Sequence, residues 1–88
     1  MPAAPIEVTI VMPVFNERLR LERAVDAVLA TEVSDNLELL IIDDGSTDGT
    51  GDILRDGSWP SAVRVIYHDH NRGKGAAIRT ARMSRLHS

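Results

Sequence analysis

Cysteine is absent from all 88 residues, so neither disulfides nor thiolate metal centres can hold this chain together. Aromatic side chains are scarce. Phe15, Trp59 and Tyr67 are the only three, which leaves the core to aliphatic residues and offers no interleaved stacking surface for nucleic acid. No apolar run approaches the ~18 residues of a membrane span, and the amino-terminal MPAAPIEV lacks a basic stretch followed by an apolar segment. A soluble chain is predicted, with a cytoplasmic location and nothing that points to an oxidising compartment.

What is present is unevenly distributed. The formal charge of −3 hides twelve acidic and four basic residues in positions 1–63, against one acidic and six basic residues in positions 64–88. The cationic end reads as a solvated basic helix face near an anion site, because the domain as a whole is acidic. A chain of 88 residues makes at most one small domain with a marginal core. Residues 1–6 read as a flexible leader without pattern.

Residues 37–51, LELLIIDDGSTDGTG, organise the rest. Leu39, Leu40, Ile41 and Ile42 form an apolar block too short for a free-standing helix and bounded by turn residues, which predicts a strand buried on both faces. Such a strand needs a layer above and a layer below. Asp43 and Asp44 then stand at its carboxyl end, where open α/β sheets bind ligands. Adjacent carboxylates there need hydrogen-bond donors or a cation to stay ionised. Gly45, Ser46, Thr47, Asp48 and Gly49 supply turn geometry and backbone N–H groups.

The flanking patterns complete a β-α-β-α-β-α order. VTIVM is rich in β-branched residues and predicts a first strand that stops at Pro13. Leu21, Ala24, Val25, Val28 and Leu29 recur at helical spacing, with Asn16 as the expected cap. A second helix contains Ile53 and Leu54, is capped by Thr47 or Asp48 and ends near Gly57. Trp59, in the loop that follows, is expected to pack over a sheet edge. AVRVIY, residues 62–67, reads as a third strand, and Ala76, Ala77, Ile78, Ala81 and Leu86 sketch a third helix. The predicted fold class is α/β: a Rossmann-like half-domain of three parallel strands with flanking helices. Three loops, PVFNE, DDGSTDG and NRGKG, all follow strands and should meet along one rim.

Such a rim suits a nucleotide. An aspartate at a strand end accepts from base N–H groups and ribose hydroxyls, Phe15 offers an apolar face, and Lys74, between two glycines at a helix start, approaches a diphosphate. Familiar phosphate motifs do not fit. Gly75 stands where a P-loop needs Ser or Thr after Lys74, and the glycines at 45, 49 and 51, or at 73 and 75, break the G-x-G-x-x-G spacing. His68 and His70 flank Asp69, but no third metal ligand is evident in the sequence. A receiver-like fold would place its Mg²⁺-binding acidic pair after the first strand, whereas here the pair follows the second.

VTIVMPVFNE, the helix after it, LELLIIDDGSTDGT and NRGKGAAIRTA together resemble the amino-terminal half of a family 2 glycosyltransferase of the GT-A type, over residues 8–81. The wording of NRGKGAAIRTA is most similar to the branch of polyprenyl- and dolichyl-phosphate mannose or glucose synthases. The resemblance implies that Pro13, Phe15 and Glu17 line the nucleoside, that Asp43 and Asp44 contact base and ribose, and that Lys74 lies near the base or diphosphate. It implies a UDP-sugar or GDP-sugar as donor and an acceptor such as a membrane lipid phosphate, which would bring the full-length form to a membrane surface. It also implies Mg²⁺ or Mn²⁺ held by a D-x-D motif. No D-x-D occurs in these 88 residues, and no catalytic base is identified, so no catalytic residue is assigned. The expectation is a truncated enzyme, inactive alone, with residues 7–81 as the nucleotide-sugar-binding half and 82–88 as a divergent tail. The alternative is a non-catalytic nucleotide-binding or interaction module derived from such an enzyme, associating through an open sheet edge.

Overall fold

The computed structural model describes residues 6–31 and 35–86. Apart from Ile6, the expected leader lies outside the described residues. So do positions 32–34 of the connection before the second strand and the last two residues of the expected tail. The order is β1 (Val8–Val14), α1 (Leu21–Leu29), β2 (Leu37–Asp44), α2 (Thr50–Asp56), β3 (Val63–His68) and α3 (Lys74–Leu86). α3 continues without a break through residues 82–86.

The strands form one parallel sheet in the order β1-β2-β3. Register runs from Val8 opposite Leu37 to Val14 opposite Asp43 on one side of β2, and from Leu39 opposite Val63 to Asp44 opposite His68 on the other. Both crossovers run in the same direction across the sheet, and α1 and α2 lie on one face, as the right-handed rule for such connections requires. There Leu39 and Ile41 pack with Leu21, Val25 and Leu54. α3 returns over β2 and β1 on the opposite face, where Leu40 and Ile42 meet Ala77 and Ala81. Each of the four central β2 side chains is fully buried, and each contributes on the order of 1.5–3 kcal/mol by leaving water.

Three local expectations are corrected. β1 does not stop at Pro13 but runs through it to Val14, with Pro13 opposite Ile42. β1 is an outer strand, and on such a strand a proline nitrogen turned away from the partner costs no ladder bond. Asn16 does not cap α1. The helix begins four residues after the expected position, behind Arg20, and Asn16 adopts a left-handed φ of 53° with its side chain committed elsewhere. Gly49, not Thr47 or Asp48, is the residue before α2, although Asp48 still accepts the Thr50 N–H at 3.0 Å. Trp59 packs against the core cluster on the α1/α2 face of the sheet, and its indole N–H donates to the Leu54 carbonyl at 2.9 Å.

Candidate functional site

In a strand, successive side chains point to opposite faces. Asp43 therefore belongs to the α1/α2 side, with Leu39 and Ile41, while Asp44 belongs to the α3 side, with Leu40 and Ile42. The adjacent acids do not share one environment, and pleating relieves the repulsion expected between them. Both are 4% exposed.

Asp43 accepts the Ser46 N–H at 3.2 Å through Oδ1. It lines a polar cavity of about 310 Å³ with Ser46, Thr47, Asp52, Arg55 and Tyr67. Gly51 makes this approach possible, because a Cβ there would stand 3.0 Å from Asp43 Oδ2 and 3.4 Å from an Arg55 guanidinium nitrogen. Arg55 lies over the Tyr67 ring, 4.7 Å from its centroid. Burial pushes the Tyr67 phenol above its ordinary pKa, with Arg55 opposing and Asp43 and Asp56 adding to the rise. The cavity thus offers a carboxylate acceptor beside a guanidinium and a phenol.

Asp44 is engaged on the other side. Oδ1 accepts the Arg72 N–H at 2.8 Å and stands 2.8 Å from His68 Nδ1, and Oδ2 accepts the Gly73 N–H at 2.8 Å. Burial pushes this carboxyl up, but hydrogen bonds from His68, Arg72 and Gly73 outweigh it and hold the group below its ordinary value. One carboxylate thereby fixes the loop that leads to Lys74.

The three loops after the strands are laced together at the same end of the sheet. The Asn16 N–H donates to Ser46 Oγ at 2.9 Å, the Thr47 N–H donates to Asn16 Oδ1 at 2.8 Å, and the Glu17 N–H donates to Thr50 Oγ1 at 3.1 Å. Gly45, at φ 75°, passes so close to the third loop that a Cβ would stand 2.3 Å from the His70 carbonyl carbon. Asp48 is held below the ordinary carboxylate value, first by the Thr50 hydroxyl and with burial opposing.

The expected site residues fall around this rim in different settings. Pro13 and Phe15 are exposed at the end of β1, Glu17 is partly covered beside a 350 Å³ hollow, and Lys74 is the exposed first residue of α3. Asp43 alone among them lines the 310 Å³ cavity. Arg55 and Tyr67 are not among the residues that the sequence singles out for the site, and it offers His68 only as a metal ligand beside His70. Arg55 sits three residues beyond Asp52, a spacing that marks a shared helix face, whereas nothing local in the sequence ties Tyr67 or His68 to β2. A larger hollow of about 500 Å³ lies between α1 and α2, among Glu22, Asp26, Asp52, Asp56 and Trp59, and shares Asp52 with the rim cavity.

Among the described residues no three His, Asp or Glu side chains gather as ion ligands, and Asp43 and Asp44 point to opposite layers. No helix among the described residues is long and apolar enough to cross a membrane.

A parallel sheet covered on both faces, with loops gathered at its carboxyl ends, is the GT-A arrangement. The chain is similar to a mannosyltransferase from Pyrobaculum calidifontis, solved in complex with GDP-Man and Mn²⁺, at 31% identity and a TM-score of 0.74 over 84% of this chain and 23% of that one. Residues 9–82 match the family model of Glycosyl transferase family 2, and the chain belongs to that family. Similar curated proteins include an undecaprenyl-phosphate 4-deoxy-4-formamido-L-arabinose transferase of Aeromonas hydrophila, 35% identical over 81% of this chain and 23% of its own length. A dolichyl-phosphate beta-glucosyltransferase of Dictyostelium discoideum is 30% identical over 89% and 27%. A dodecaprenyl-phosphate galacturonate synthase of Rhizobium johnstonii is 36% identical over 88% and 24%. The chain spans between 10 and 27% of the length of the curated relatives it matches.

Proposed function

We propose that this chain is the nucleotide-recognition part of a family 2 glycosyltransferase and binds the nucleotide of a UDP-sugar or GDP-sugar at the rim. The observation that carries this reading is the buried Asp43 carboxylate. It faces a 310 Å³ polar cavity at the end of the sheet where the β1 and β2 loops are tied together. Asp43 accepts from base or ribose donors, Phe15 and Pro13 present an apolar edge to the nucleoside, and Glu17 borders it. Lys74, at the start of α3, meets the diphosphate. Asp44 serves the same ligand by fixing the loop before Lys74. On this reading residues 7–81 form the binding unit, preceded by a leader and followed by residues 82–88.

Within a longer enzyme the unit would hold the donor during transfer of its sugar to an acceptor, a polyprenyl phosphate by analogy with the relatives named above. Such an acceptor would place the enzyme at a membrane surface. We expect the 88-residue chain alone to bind nucleotide without turnover, because it contains no D-x-D and no identified base. Titration calorimetry with GDP and UDP tests the reading. Asp43→Ala should weaken binding by about tenfold, the factor for one charge-assisted hydrogen bond. Unchanged affinity in that variant, or no uptake of either nucleotide by the wild-type chain, would overturn it.

A further inference from the structure

His68 is the last residue of β3 and stands opposite Asp44 in the ladder. The two side chains are 5% and 6% exposed. An ionised Asp44 can only accept, so the proton between them sits on His68 Nδ1, which donates to Asp44 Oδ1 at 2.8 Å. Nε2, the other ring nitrogen, lies 2.7 Å from Thr80 Oγ1. Thr80 belongs to the second turn of α3, while the amides that Asp44 accepts, Arg72 and Gly73, immediately precede the first. A closed circuit results: helix hydroxyl to imidazole, imidazole to carboxylate, carboxylate to the start of the same helix. Ala76, Ala77 and Ala81 are all buried on that face, and their small side chains bring α3 near enough for the circuit to close.

We propose that His68 is a positioning residue: through Asp44 and Thr80 it sets the placement of the 72–73 amides and of Lys74 at the rim. That this placement sets nucleotide affinity rests on the reading of the rim given above. Burial requires a partner for each ring nitrogen, and here the two partners are Asp44, which accepts the amides just before α3, and Thr80 within α3. Here each nitrogen is matched, and removing either partner should be felt at the far end of the circuit.

The test uses the whole 88-residue chain and does not depend on nucleotide binding. Long-range ¹⁵N–¹H correlation on His68 should show the Nδ1–H tautomer. Amide hydrogen exchange at Arg72 and Gly73 should accelerate about tenfold in Thr80→Val, the factor for one lost hydrogen bond, with amides of β1 and α1 unchanged. Thr80→Ser, which keeps the hydroxyl, should restore wild-type exchange. His68→Asn, which can still donate to Asp44 but cannot reach Thr80, should resemble Thr80→Val. GDP and UDP affinity should fall in parallel with the exchange effect. Equal exchange in Thr80→Val and Thr80→Ser, or a uniform acceleration across the chain, would overturn the proposal. If exchange responds as stated while the wild-type chain takes up neither nucleotide, the relay stands and the nucleotide reading falls.

Discussion

Asp44 shows how much one buried carboxylate can hold. Asp44→Ala would leave the Arg72 and Gly73 amides unpaired and His68 without its acceptor, at an expected cost of about 2–4 kcal/mol. Urea unfolding with an unchanged m-value measures it. Because its hydrogen bonds hold the folded-state pKa of Asp44 below the ordinary aspartate value, its contribution is fully present above that ordinary value and is lost as pH falls through the lower folded-state value. The unfolding midpoint of the wild-type chain should therefore drop in that acid window more than that of Asp44→Ala. The sequence marked both aspartates, since two acids after a fully apolar run are conspicuous. It does not tie His68 to Asp44, because the two are brought together only by β2–β3 pairing across 24 positions. The division of the acids between two layers follows from strand alternation once β2 is placed, yet adjacency in the chain reads as a pair.

Secondary-structure elements were legible in full as to number and order, because each carries a different period. β2 is a solid apolar block, α1 repeats at helical spacing, and glycines or prolines separate the pieces. Boundaries were less legible. Pro13 was read as a stop because the position of β1 at the outside of the sheet is a property of the assembled sheet, not of VTIVMPV. The loops were identified, but not what joins them. Asn16 reads as a cap and is instead a cross-link to Ser46 and Thr47. Gly45 joins β2 to that network at a contact no side chain can share. Gly45→Ala combines a left-handed φ with a Cβ inside van der Waals range of the third loop's backbone. It should cost at least about 2–3 kcal/mol, read as a lowered thermal midpoint together with loss of nucleotide uptake.

At the scale of the molecule, an asymmetry along the chain becomes one across the sheet. Glu22, Asp26, Asp52 and Asp56 gather on the α1/α2 side, while Arg72, Lys74, Arg79 and Arg82 are exposed on or just before α3. A chain of net charge −3 should therefore bind a heparin column at low salt through α3. It should elute once the Debye length falls to about 10 Å, near 0.1 M ionic strength. Arg79→Glu combined with Arg82→Glu should abolish retention, and equal retention of that double variant would contradict the assignment of the basic face. The central strand raises a different question of specification. LLII is equally greasy above and below, so a one-residue slip of β2 against its neighbours would still hide four aliphatic side chains and go almost unpunished by the core. What forbids the slip is charge at the strand's two ends: Glu38 must reach Arg64, 3.3 Å away, and Asp44 must reach His68 on the same face. Asp44, which fixes the third loop, thus also acts with Glu38 as an alignment pin, and neutralising both would remove the penalty that keeps β2 in a single phase.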